Sequence, residues 1–226
     1  MAVNAPAARN RARGAGRALA AGELRLEALR RRREREHRDL VRAALRVFLR
    51  RGYAETRVDD ILREAGISTR AFYRFHASKD ELFLDLFDRA NLAAMARLRA
   101  RVARKPHARA QLDAYVDATL ELAYDPRLER QTRLFASVPA ELTARHAEDV
   151  RACREQLVAV LREIVARGAA TGEFPAADPE LDAWALHGAL GAALELALRP
   201  RERPPRAGLA RRLRRFCRAA LGAAPR

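Results

Sequence analysis

Apolar residues recur along this chain at three- and four-residue intervals, the spacing that lays one stripe along an α-helix, and the strict alternation of a half-buried strand does not occur. Leu40, Ala44, Val47 and Phe48 form the first clear stripe, which stops at Arg51-Gly52. Val58, Ile61, Leu62 and Ala65 form a short second stripe, and Leu82, Phe83, Leu86 and Phe87 open a third. The first helix is expected to close a small core with Val58, Ile61, Phe72 and Phe83. Further along, Pro106, Asp125-Pro126, Pro139, Gly168 to Gly172, Asp178-Pro179 and Pro200 to Pro205 punctuate the chain. The stretches between them predict helices near 79–104, 107–124, 126–136, 139–168, 179–199 and 207–221. Asp125 and Asp178 read as N-caps with proline at the first helical position. The fold class is therefore all-α.

The segment 56–82, TRVDDILREAGISTRAFYRFHASKDEL, concentrates helix start and stop signals. Thr56 is a candidate N-cap, and Asp59 and Asp60 place negative charge at the positive end of the helix that follows. Gly66 can take the left-handed conformation of a sharp helix-to-helix turn, and Ser68 can cap the next helix. That helix has a wet side, with Thr69, Arg70, Tyr73 and Arg74, and a dry one with Ala71, Phe72 and Phe75. Ser78 and Glu81 fit a capping box ahead of a long helix starting at about Lys79.

With Thr56, Ile61, Ala65-Gly66, Phe72-Tyr73 and the run from Ser78 to Leu82 in fixed register, residues 39–87 resemble the DNA-binding domain of the TetR family of bacterial transcriptional regulators. The resemblance implies a helix-turn-helix domain at 34–84 and a helical ligand-binding and dimerisation domain at 85–226; ahead of them, an Ala-, Arg- and Gly-rich composition without a helical stripe favours a basic, disordered N-terminal arm at 1–33. The resemblance also implies a cytoplasmic homodimer that binds double-stranded DNA at a palindromic operator, most often as a repressor, and releases it when a small-molecule inducer occupies the C-terminal domain. Ser68, Thr69 and Arg70 are the expected base-edge readers, with Tyr73 against a phosphate or a thymine methyl. Thr56, Arg57, Arg74 and Lys79 are the expected phosphate contacts. Met95, Tyr115, Tyr124, Phe135 and Trp184 are the candidates for the inducer cavity. Three positions depart from the family pattern: Arg70 replaces a common glycine, Ala71 a threonine, and His76 a phenylalanine. An arginine at 70 offers the fork that matches guanine O6 and N7. His76 reads as a partly buried histidine in a swapped Phe75-His76 order, as a phosphate contact or, least favoured, as a pH sensor.

Composition adds a weaker signal. The formal net charge is +16, from 45 Lys and Arg against 29 Asp and Glu, a balance suited to a polyanionic partner. Nearly all the cations are arginine and alanine is abundant, which GC-rich coding also produces. Arg30 to Arg33 form a basic run that could lie on DNA as an arm or be a solvated leader. Glu23, Arg25 and Glu27 interrupt any secretion-signal core, and no run of eighteen uncharged apolar residues is present to span a membrane. Cys153 and Cys217 are too few and too far apart for a zinc site or a disulfide framework.

The remaining stripes point to self-association. Leu181, Trp184, Ala185, Gly188, Ala192 and Leu196 make one, with small residues at its centre, and Leu209, Leu213, Phe216 and Ala220 make another. Two such helices per subunit close a four-helix bundle; Trp184 is expected to point more inward than across. His146, Glu148 and Asp149 lack the spacing of a helical metal site and read as surface. No cofactor motif and no nucleophile–base or paired-carboxylate arrangement stands out, so no enzyme is expected. A nonspecific architectural DNA binder is the alternative function.

Overall fold

The computed structural model describes residues 5–137, 142, 144 and 147–223, and among them it contains no strand. Nine helices are described: α1 Ala5–Arg51, α2 Val58–Ala65, α3 Thr69–Tyr73, α4 Lys79–Ala103, α5 Ala108–Tyr124, α6 Pro126–Ala136, α7 Ala147–Ala170, α8 Pro179–Leu198 and α9 Arg206–Ala220. They fall into two compact units. The first joins the chain up to Val47 to Thr56–Leu82; the second comprises Phe48–Glu55 and everything from Phe83 onward. The expected start of a helix at 139 lies outside the described residues, as do His146 and the side chain of Asp149; Glu148 is exposed.

In the first unit, Leu40, Ala43, Ala44 and Val47 of α1 are buried, as are Ile61 of α2, Phe72 of α3 and Leu82. Burying each large side chain is worth roughly 1.5–3 kcal/mol. Phe83 meets Phe48, the last residue of the α1 stripe, and Tyr53 edge-on at 5.3 and 4.9 Å between ring centroids, as expected. Val58 is only half-buried.

Where a disordered arm was expected, the structure describes α1 as starting at Ala5. Leu24, Leu26 and Leu29 are exposed, so no apolar stripe holds this part of the helix. It rests on the high helix propensity of Ala and Arg and on i, i+4 ion pairs, Glu27 with Arg31 and Arg32 with Glu36, each worth about 0.2–0.5 kcal/mol.

In the second unit α5 packs against α6, α7, α8 and α9. Leu112, Tyr115, Val116 and Leu120 of α5 meet Val158, Leu161, Ile164 and Val165 of α7, Leu186 and Leu190 of α8, and Leu213 and Cys217 of α9 in one core. Asp113 and Asp117 on α5 pair with Arg218 and Arg214 on α9. The two proline starts are as read: Asp125 accepts the N–H groups of Arg127 and Leu128, and Asp178 those of Glu180 and Leu181. The start of α5 has a remote cap. Glu173, in the loop after α7, accepts from the N–H groups of Ala108 and Arg109, both at 3.0 Å. Burial pushes its carboxyl up, but those two donors, with Thr171 and the charge of His107, bring it below the ordinary glutamate value.

Gly168 lies against the same loop because the fully buried Phe174 occupies its side-chain space. A Cβ there would sit 1.9 Å from the Phe174 ring. Both cysteines are free, and burial pushes the Cys217 thiol up to about 11.

Candidate nucleic-acid interface and effector cavity

Helix α2 ends where Gly66 adopts φ 66° and ψ 33°, and its N–H donates to Leu62 O. No atom crowds a Cβ at this position, so the backbone conformation alone requires glycine. Two residues later Ser68 caps α3, its Oγ accepting the Ala71 N–H at 3.2 Å. Phe72 anchors the inner side of α3 in the core, with no exposed surface. The outer side carries Ser68, Thr69, Arg70, Tyr73 and Arg74, all exposed, with Tyr73 55% accessible. Ser68, Arg70, Ala71, Tyr73 and Arg74 line one shallow surface concavity. The side chains there offer hydroxyls and guanidiniums, groups that hydrogen-bond base edges and phosphate oxygens.

Three expected contacts look different once their surroundings are seen. Thr56 is 1% exposed, so a phosphate contact through its side chain is withdrawn; its carbonyl accepts from Lys79 Nζ at 3.0 Å. The cap of α2 is also one residue later, at Arg57, whose N–H donates to Asp60 Oδ2 at 3.2 Å. Lys79 thereby ties the first turn of α4 to the entry of α2. Arg74 is held by Glu36 at 2.5 Å and lies over the Phe75 ring at 5.0 Å. Its charge is partly spent on α1. Arg57 is exposed, as expected.

His76 is 4% exposed, which removes the phosphate alternative and favours the buried one. Its Nε2 lies 3.5 Å from Nε2 of His37, while His37 stacks on Phe75 with centroids 5.0 Å apart. At the start of α4, Ser78 Oγ accepts the Glu81 N–H at 3.1 Å, as a capping box requires. The return bond reaches one residue further than expected, to the Ala77 N–H at 2.5 Å.

The second unit holds a cavity of about 510 Å³ lined from α4, α5, α6 and α7. Tyr115 lines it; Met95, Tyr124, Phe135 and Trp184 do not. Met95 is in the core. Tyr124 donates its hydroxyl to Pro204 O under the guanidinium of Arg203, 4.6 Å from the ring centroid. Phe135 is edge-on to Phe83 and Phe87. Sequence reasoning weighed aromatic bulk and so missed Arg97, Arg101 and Arg104, although their i, i+4, i+7 spacing on α4 was a visible signal.

Trp184 is on the outside of α8. It is 37% exposed and Leu181 67% exposed, with Ala185, Gly188 and Ala192 exposed along the same stripe, so the inward placement of Trp184 is corrected. Helix α8 is also long and apolar enough to cross a membrane by length and composition alone. Its opposite face, Ala183, Leu186, Leu190 and Ala193, is built into the core of the second unit. His187 packs edge-on beside Trp184, and burial and then the charge of Arg154 push its imidazole below the ordinary value.

Comparison with known proteins agrees with these features. Residues 40–86 match the family described as bacterial regulatory proteins, tetR family, and residues 108–207 match the tetracyclin repressor-like C-terminal domain. The HTH-type transcriptional repressor NicS of Pseudomonas putida is 27% identical over 146 residues, covering 62% of this chain and 66% of that protein. The HTH-type transcriptional regulator TcmR of Streptomyces glaucescens is 32% identical over 123 residues, covering 48% of this chain and 54% of that protein. The chain thus spans less than two thirds of the length of either relative. Among solved structures, FadR from Bacillus subtilis in complex with stearoyl-CoA superposes with a TM-score of 0.65 at 19% identity, over 79% of this chain and 96% of that one.

Proposed function

The chain belongs to the TetR family of bacterial regulatory proteins, and on that premise we propose that it is a sequence-specific transcriptional repressor that binds double-stranded DNA as a homodimer in the cytoplasm and lets go when a small molecule binds. Members of this family are in general transcription factors and not enzymes. The observation that carries the reading is the presentation of α3: Phe72 locks one side into the core and turns Thr69, Arg70 and Tyr73 outward.

Arg70 and Thr69 are the base-edge readers, Ser68 caps α3 while keeping its O–H as a donor, and Tyr73 meets a phosphate or a thymine methyl. Arg57, Arg74 and Lys79 work on the backbone, Lys79 also by fixing the entry of α2. The exposed stripe of α8, with Phe216 on α9, supports self-association, since an apolar stripe this long is covered in a stable protein. A two-fold pair sets two α3 helices roughly 34–36 Å apart, one turn of duplex, which favours a palindromic operator. Helix α4 carries Lys79 in its first turn and Leu98 and Arg101 in the cavity lining. An effector that prefers one of two α4 arrangements shifts the population between DNA-competent and incompetent dimers. FadR holds stearoyl-CoA on a similar fold, which supports a small molecule in the second unit.

Sequencing the genomic fragments retained by the purified protein tests this. Enrichment of a few palindromic sites is the expected result. Uniform retention of all duplexes would favour the nonspecific architectural alternative.

A further inference from the structure

The cavity of the second unit combines an apolar floor with a cationic mouth. Tyr115, Ala118 and Leu122 of α5 form the floor with Leu98 of α4, Leu128 of α6 and Leu157 of α7. Its polar groups are bonded within the protein: Tyr115 donates its hydroxyl to Leu157 O at 3.3 Å, and Thr119 donates to Tyr115 O at 3.1 Å. Burial, followed by the influence of Cys153, pushes the Tyr115 phenol up, so the floor is uncharged. The mouth is different. Arg97, Arg101 and Arg104 follow one another on one face of α4, and Lys105 stands next to them. Against these four cations the lining has one carboxylate, Glu121, which is already engaged by Arg101 at 2.6 Å and by Arg206 at 3.6 Å. Among the described residues, Arg97, Arg104 and Lys105 have no carboxylate partner.

We infer that this cavity binds an amphipathic organic anion, its apolar body on the Leu98–Tyr115–Leu157 floor and its carboxylate or phosphate at the guanidiniums of Arg97 and Arg104. A volume of about 510 Å³ lies within the range of small-molecule sites. Planar guanidinium forks suit carboxylate and phosphate oxygens, and a mouth with surplus positive charge rejects a cationic head. The inference names the effector class of the regulator proposed above and rests on that reading for its regulatory meaning, though the binding itself does not.

Titration calorimetry on the full-length protein, without DNA, compares four probes with the same tail below their aggregation concentrations: dodecanoate, dodecyl phosphate, dodecanol and dodecyltrimethylammonium. One or both anions bind at least about tenfold tighter than the alcohol and the cation, and their affinity falls as salt rises from about 0.05 to about 0.5 M. Whichever anion binds better identifies the head group. The R97Q/R104Q double variant, altered only at exposed positions, loses at least about tenfold for the anions and leaves dodecanol unchanged. A118W fills the floor and weakens all the probes that bind. Tighter binding of the cation, equal binding of alcohol and anions, absence of anion binding, or unchanged anion affinity in R97Q/R104Q would each overturn the inference. Adding the bound anion to a protein–DNA complex is a separate measurement. If the DNA is not released, the site stands and the effector role falls.

Discussion

Helices α3 and α8 each keep one face in a core and the other in solvent, yet what they show to solvent differs in kind. Helix α3 shows hydroxyls, guanidiniums and one phenol; α8 shows Leu181, Trp184, Ala185, Gly188 and Ala192. A surface of the first type keeps its water until a polyanion replaces it, and its binding energy is electrostatic and salt-dependent. A surface of the second type loses free energy for as long as it stays wet, and small residues at its centre let another helix approach closely. One chain thus carries two exposed surfaces of different chemistry, which the proposed function matches to different partners: DNA for α3 and a second copy for α8.

The largest expected effect breaks the support of α3 and leaves its outer face untouched. Phe72→Ala removes a fully buried ring and should cost about 3–5 kcal/mol, visible as an early unfolding transition and as loss of DNA binding. Leu181→Asp attacks the other surface. A carboxylate in a covered apolar stripe should shift the dimer toward monomer by about 2–3 kcal/mol or more, read by sedimentation, and weaken operator binding only through the lost dimer. If L181D stays dimeric, α8 is not the shared face. Arg70→Ala should weaken binding to the preferred duplex by about 1–3 kcal/mol and relax the choice at one base pair, while sedimentation stays as in wild type. Tyr73→Ala and Lys79→Ala should also weaken operator binding with the dimer intact.

The smallest effect concerns the scaffold. Glu173→Ala removes the cap of α5 and should cost about 1 kcal/mol. Because the folded carboxyl lies below its ordinary value, the stabilisation is complete above about pH 4.3 and is lost as pH falls through the folded value. Thermal melts of wild type and E173A should therefore differ at neutral pH and converge in acid. A gap that persists unchanged at low pH would contradict the ionic part of this cap.

What could be read from the sequence is what local chemistry decides. The bend at Gly66, the caps at Ser68, Asp125 and Asp178, and the boundaries of α5, α6, α8 and α9 follow from signals a few residues long. So does the division of α3 into a wet and a dry side. What could not be read depends on partners far along the chain. Glu173 caps a helix 65 residues upstream, Phe174 fills the space above Gly168, and Lys79 reaches back to Thr56. Thr56 shows the same limit: its residue type suits a cap or a phosphate contact, but burial decides against the contact. Of the residues expected at the cavity, Tyr115 is in the lining, while Met95 and Tyr124 pack in or against the core and Trp184 is on the α8 surface, placements that residue type alone does not reveal.

The central claim is that α3 reads sequence, and a competition measurement tests it most directly. Full-length protein bound to its most enriched genomic fragment, at about 0.15 M salt, is challenged with the same fragment carrying a scrambled palindrome. The account predicts a preference of about a thousandfold or more for the intact site, most of it lost in the R70A variant. Equal competition by the scrambled duplex, or a preference that R70A leaves intact, would contradict it.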